Sequence, residues 1–522
     1  MALHKLARRL LSLTQAREFW SASPSAKLGV ERMEDRTVPT VTIVAPDANG
    51  IVRVSNNAGA ENVTIDTTTN AGFVTFTTTN NVPVFVAPVQ ASPGGNAKVA
   101  VGGIKAIEFT TPGGGALGLT VNTVAAASAT DLRQITYTGG AAGETVNLKN
   151  SGNATLFTRV DMGGGANSYT ASDTSVNVLA FSEASAGSVA VTPSATNSKT
   201  ALDFKPVTSP VSANLTVGGG GSLASYAAMN VTLAAGGDSS KIVGVYGGKG
   251  SDTLIGNAVG NVLIGGDGDD TLVGNGGDDQ LNANRDFAPS MPGPTNTGGV
   301  AVTGANTVID ITQFAAIAAA NGAVTGASAS ASALYTSFGF FSFGEGVAAL
   351  TGSAGVNSTS LAADFATANA VTATASNDTL VGGDGNDGHY GFNNARVTAT
   401  GGAGNDVFST NVSGLASTYD GGDGDDLLIG AAGFTLLGGA GTDTMSFAVA
   451  DPNATQPNQS TASGGSGNDT ISAAFRNITI DAGEGTDTLT LGNFPDVVVV
   501  ANSTTGITNG LPAIPAVRRV VR

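Results

Sequence analysis

Apolar and polar residues alternate along this chain in runs that suit strands and are too short for helices. VTIVA from Val41, IVRV from Ile51, NVTID from Asn62 and FVTFTTT from Phe73 are β-branched stretches of partial alternation, separated by Asn, Gly and Asp turns. Glycine clusters recur at Gly94, Gly102, Gly113, Gly139, Gly163, Gly218 and Gly236 at irregular spacing. Residues 41–240 are therefore expected to be β structure without a long helix: a solenoid of uneven coils, with a β-sandwich as the competing arrangement.

The pattern tightens between Val245 and Asn282. Nine-residue units start in register at Gly247, Gly256, Gly265 and Gly274. The first and third, GGKGSDTLI and GGDGDDTLV, fit G-G-x-G-x-D-x-U-x, where U is a large apolar residue. The fourth has Asn275 for its second glycine, and the second keeps little beyond Leu263 at the apolar position. Glycine allows tight and left-handed backbone turns that gather carbonyl oxygens, and the sixth-position aspartate adds a carboxylate. Oxygen donors of this kind suit a hard cation such as Ca²⁺. The x-U-x step is a short strand with its apolar residue inward, so two units make one coil of eighteen residues.

A second block runs from Asn377 to about Leu491. Its loops begin at Gly382, Gly401, Gly421, Gly438, Gly464 and Ala482, separated by 19, 20, 17, 26 and 18 residues. These steps are whole coils, so the intact loops should all fall on one edge, facing plain turns on the other. A single row of ions is expected there. In the first block Asp252 pairs with Asp270 on one edge and Asn261 with Asp279 on the other, the latter expected to be weaker because Asn261 lacks a charge.

Charge sharpens this picture. Between Gly250 and Ala516 three arginines face 25 Asp and Glu, although the whole chain carries only −17. Carboxylates at a fixed period repel one another unless neutralised. The sign of the charge disfavours nucleic acid, and the absence of cysteine makes bound metal a candidate for fixing the loops.

These repeats resemble the RTX (repeats-in-toxin, hemolysin-type) calcium-binding β-roll. The resemblance implies an all-β fold, a parallel β-roll or β-solenoid with calcium-binding turns, and several bound Ca²⁺ ions. It implies that sixth-position carboxylates and backbone carbonyls of successive coils share each ion. Carried onto this chain, the ligands are Asp252, Asp270, Asp279, Asp387, Asp406, Asp426, Asp443, Asp469 and Asp487, with carbonyls of Gly247, Gly265, Gly382, Gly401, Gly421, Gly438 and Gly464. Asp378, in the half-formed ASNDTLV, is a further candidate. Two residues depart from the pattern: His389 at an apolar position, where it is expected to cap a strand, and Ala482 for a first glycine.

The remaining segments complete a six-part organisation. Residues 1–40 are a basic export- or sorting-like segment whose Val30–Pro39 stretch resembles the L-E-x-L-E-D-R-x-x-P element of some bacterial exported proteins. Then come the β-rich region 41–240, the first block 241–286, a low-charge Ala/Gly/Ser-rich insertion 287–376, the second block 377–492 and a tail 493–522. ITQFAAIAAA and SLAADFATANAV in the insertion read as short helices forming a flap or a partner surface. No run is apolar enough for a membrane span. No H-E-x-x-H or G-x-S-x-G is present, and Lys149, Arg159 and Asp161 read as ordinary strand and turn residues. The expected function is that of a secreted or cell-surface bacterial protein, structural or adhesive, stabilised by extracellular calcium and meeting surface or matrix polysaccharide or protein. The alternative is an extracellular carbohydrate-active enzyme, a lyase, hydrolase or epimerase, with its catalytic face in 41–240.

Overall fold

In the computed structural model the described residues are 41–284 and 376–500, less short connecting segments within each span, together with 518–519. Residues 1–40 and the insertion, with the helices expected there, lie outside them. Two long sheets dominate. Sheet A has 17 strands and sheet B runs opposite it, and successive coils add one parallel strand to each. The strands between Gln134 and Asp203 in sheet A pair in parallel, as the solenoid reading requires. Gln134–Thr138 lies parallel to Phe157–Asp161, then to Val176–Ala180 and Thr200–Asp203. Thr200–Asp203 pairs with Ile242–Tyr246, which pairs with Val262–Gly266, so the N-terminal coils and the repeat blocks share one sheet.

Among the described residues antiparallel pairing is confined to two places. Val41–Val44 folds against Ile51–Asn56, and Glu61–Asp66, Phe73–Thr78 and Ala97–Ala100 form antiparallel pairs at the N-terminal end. At the entry to the first repeat block, Ser212–Asn214, Ser222–Tyr226 and Met229–Leu233 make an antiparallel meander within sheet B, bounded by parallel pairings on both sides. A meander of this kind absorbs the mismatch between uneven coils and eighteen-residue coils without breaking the sheet.

Alternation decides what is inside. In the repeat coils the U residue points inward: Leu254, Leu263, Leu272, Leu281, Leu380, Phe408, Leu428, Met445, Ile471 and Leu489 all belong to the continuous core. His389 is one of this series. Its strand, Gly388–Gly391, places it in register with Leu281 and Phe408, and its ring stacks on Phe408 at 4.5 Å. It is therefore an interior strand residue and not a strand cap. Tyr419 lies tilted against Phe408 at 5.3 Å and meets Phe434 edge-to-face at 5.5 Å, which carries the aromatic contacts across the interior.

The two outer faces differ. On sheet B the outward Thr253 and Val381 are exposed. On sheet A the outward positions are apolar and buried through the middle of the solenoid, as at Val262, Ile264, Leu427 and Ile429, and polar in the last strands, as at Thr488 and Thr490.

The inward row should dominate stability. Leu428→Ala is expected to cost about 2–5 kcal/mol by leaving a cavity, whereas Val381→Thr on the open face should stay within about 0.5 kcal/mol. Denaturant midpoints in calcium-containing buffer check both.

Candidate metal centre

Each repeat turn is shaped by glycines with separate tasks. The second and fourth positions take left-handed φ, as at Gly383 (124°) and Gly385 (141°) or Gly402 (122°) and Gly404 (132°). Asn275 occupies the second position of its unit at φ 79°, a conformation that asparagine tolerates better than most residues. The first glycine is needed for closeness instead. A β-carbon on Gly247, Gly382, Gly401, Gly421 or Gly438 would collide with the loop's own aspartate Oδ2 and with a glycine carbonyl of the next coil. Gly265 and Gly464 make the same approach against the Ala283 and Ala482 carbonyls. Ala482 itself sits on the last of these loops, with no further loop among the described residues to crowd it.

The sixth-position aspartates form two ladders. In each, the backbone N–H of one coil donates to Oδ1 of the aspartate in the next. On the turns entering sheet B, Val211 donates to Asp252, Asp252 to Asp270 and Asp270 to Asp378, at 2.7–2.9 Å. On the turns entering sheet A the row is longer. Asn261 donates to Asp279, then Asp279 to Asp387, Asp387 to Asp406, Asp406 to Asp426, Asp426 to Asp443, Asp443 to Asp469 and Asp469 to Asp487. Both ladders cross the insertion with a step of 108 residues in place of 18, an excess of 90 that leaves the register intact.

The six sixth-position aspartates from Asp387 to Asp487 thus stand on one edge with Asp279. The edge holding Asn261 is the long one. Asn261 is its end rung, so its neutral amide alters one gap only. Asp378 joins the shorter row. Beyond it the described rungs of that edge hold no carboxylate, with Val397 N–H donating to the Ser417 hydroxyl in the place of one.

Every ladder carboxylate is buried, none more than 3% exposed. Eight of them, Asp270, Asp279, Asp387, Asp406, Asp426, Asp443, Asp469 and Asp487, have an Oδ2 without a hydrogen-bond partner. Burial, with acidic neighbours adding to it, pushes Asp270 and Asp279 up to about 9 and Asp406 to about 8. It pushes Asp387, Asp426 and Asp443 to about 7 and Asp469 to about 6. At ~5 Å spacing and an effective dielectric near ~20, each adjacent charged pair costs about 3 kcal/mol. Unpaired oxygens that face carbonyls at such a cost are what a hard cation satisfies, so the donor set fits calcium.

The family comparison agrees with this geometry. The chain matches the RTX calcium-binding nonapeptide repeat in four copies, over residues 246–281, 366–388 and 463–498. These are RTX repeats. They bind calcium, at several sites. No curated protein matches the chain. The RTX matches leave out the loops of Asp406, Asp426 and Asp443, which the ladder joins without interruption.

The nonapeptide pattern treats the fifth position as free, and the structure does not. Asn377 N–H donates to Asp269, Asn386 to Asp278, Asn405 to Asn386, Asp425 to Asn405, Thr442 to Asp425 and Thr486 to Asn468. This outer ladder uses side-chain oxygens that were visible in the sequence as recurrent Asn and Asp before the sixth residue. His389, whose two ring nitrogens lack hydrogen-bond partners, is pushed down to about 3 by burial and stays neutral. In the N-terminal coils, Arg159 pairs with Asp203 at 2.7 Å across the outer face of sheet A, and Arg53 pairs with Asp47 and Glu108.

The raised carboxylates fix the sign of the pH dependence. Without a cation the folded solenoid binds protons that the unfolded chain has released, so its stability is greatest below about pH 4 and falls as pH rises towards 7–9. Thermal unfolding in EGTA should therefore shift to lower temperature between pH 5 and 8, and saturating calcium should remove that decline. Asp406→Asn should raise cation-free stability by on the order of 1–2 kcal/mol and shrink the calcium-dependent gain, because it removes a charge flanked by two others. A variant less stable in both conditions would contradict the assignment of repulsion to this row.

Proposed function

We propose that this chain is a secreted or cell-surface protein with a structural or adhesive role, whose repeat blocks complete their folding on meeting extracellular calcium. The observation that carries this reading is the two rows of buried aspartates, eight of which have an unpartnered oxygen. The proposed ligands are Asp270 and Asp378 on the shorter edge and Asp279, Asp387, Asp406, Asp426, Asp443, Asp469 and Asp487 on the longer. Carbonyls of Gly265, Gly382, Gly401, Gly421, Gly438 and Gly464 join them. Asp252 and Gly247 close the shorter row, where the Gly248 N–H also bonds the carboxylate.

Bound calcium supplies the positive charge that this arrangement lacks. The aspartates themselves do the mechanical work: Oδ1 ties its coil to the preceding one through the backbone, and Oδ2 faces the next coil's carbonyl. Where calcium is scarce the carboxylates repel and the blocks stay loose; where it is abundant each coil is fastened to its neighbours. The longer row spans roughly 34 Å at ~4.8 Å per coil. RTX repeats are typical of secreted proteins, which supports an extracellular site of action. Among the described residues no helix is long and apolar enough to cross a membrane. The outer Thr-lined face of sheet B is the surface we assign to contact with polysaccharide or protein.

Far-ultraviolet circular dichroism in EGTA, followed by millimolar calcium, tests the reading. A gain of β signal and a rise in unfolding temperature are expected, and an unchanged spectrum would sink it.

A further inference from the structure

The N-terminal coils hold a loop pair that repeats the backbone of the metal turns without matching the RTX repeat. Gly139–Asn147 reads GGAAGETVN: glycines at the first, second and fifth positions, Glu144 at the sixth and Val146 at the inward strand position. The next coil, Met162–Thr170, places Asn167 sixth and Tyr169 inward, with Gly165 at left-handed φ 87° in the fourth position.

Four hydrogen bonds recur between this pair and the repeat loops. Glu144 N–H donates to Asn167 Oδ1 at 2.7 Å, as Asp252 N–H does to Asp270 Oδ1. Ser168 N–H donates to the Glu144 carbonyl, as Thr271 N–H does to that of Asp252. Gly139 N–H donates to the Asp161 carbonyl, as Gly247 N–H does to that of Ile264. Gly140 N–H donates to Glu144 Oε1, as Gly248 N–H does to the Asp252 carboxylate. The close packing recurs too: a β-carbon on Gly163 would meet the Gly140 carbonyl, as one on Gly266 would meet that of Gly248.

Glu144 is 3% exposed and its Oε2 has no hydrogen-bond partner. A β-carbon on Gly139 would collide with this oxygen, so it occupies the position that aspartate Oδ2 takes in the repeat loops. A buried carboxylate oxygen left unpaired is costly unless a cation or a proton meets it. We infer that the turn Gly139–Glu144 is a diverged cation site, with Glu144 and neighbouring backbone carbonyls as its oxygen donors and a hard divalent ion as its ligand. Among the described residues no three carboxylates or histidines converge anywhere, and the repeat loops share that dependence on carbonyls. The inference goes beyond the repeat blocks, since it extends metal-dependent order into coils that the RTX match leaves out.

Hydrogen–deuterium exchange by mass spectrometry on the full chain tests it, in EGTA, in calcium and in magnesium. Peptides covering 139–148 should exchange roughly tenfold more slowly at calcium about ten times the site's Kd. Glu144→Gln should abolish that change while peptides from 246–281 still respond, and Glu144→Asp should retain it. If repeat peptides respond to calcium and 139–148 does not, the inference is wrong and the proposed function stands. If neither responds, both are wrong. Should Glu144→Gln not fold, the wild-type comparison decides alone.

Discussion

The structure depends on one contact made again and again: a buried aspartate whose Oδ1 accepts the backbone N–H of the coil before it. The contact fixes the coil-to-coil register, because a slip would leave both the N–H and the carboxylate unpaired inside the turn. It also brings charges together at strand spacing in a place that water does not reach. One interaction thus supplies both the order of the solenoid and the strain that makes order conditional. The glycines follow from it, since only a residue without a β-carbon allows Oδ2 and the next coil's carbonyl to approach as they do. The leucine row follows as well, since the strand after each aspartate has a single inward position.

The ladder explains why the two edges diverge. The row entering sheet B gives way after Asp378 to Val397 and the Ser417 hydroxyl, which keeps a hydrogen bond and carries no charge. The row entering sheet A keeps its carboxylates from Asp279 to Asp487. Rungs without a carboxylate need no ion, whereas the buried carboxylates of the other edge need their charge neutralised. The described strands on either side of the insertion keep their register, so 90 extra residues interrupt the sequence without interrupting either ladder.

Much of this was legible in the residues. Separations near eighteen placed the second-block loops on a single edge, since a half-coil step would have alternated edges. The apolar position of each unit identified the core row. Asp378 was less visible because its glycines are missing, and the ladder shows why it still belongs: the bond needs only the side chain and the neighbouring N–H. His389 was misread because a polar residue at an inward position looks like a strand end; neutral and stacked on Phe408, it behaves as an aromatic. The antiparallel meander at Ser212–Leu233 left no periodic trace, because its register is set by the coils on either side. In the N-terminal coils Glu144 was hidden by its extra methylene and by an irregular step to Asn167.

We propose that shared calcium holds the ladder carboxylates of successive coils together. Anomalous diffraction from crystals of the calcium-loaded protein tests it most directly. A row of peaks is expected along the edge from Asp279 to Asp487, each beside an aspartate Oδ2, with a shorter row at Asp270 and Asp378 and none beside Ser417. Well-ordered coils with no anomalous peak between these loops would contradict it.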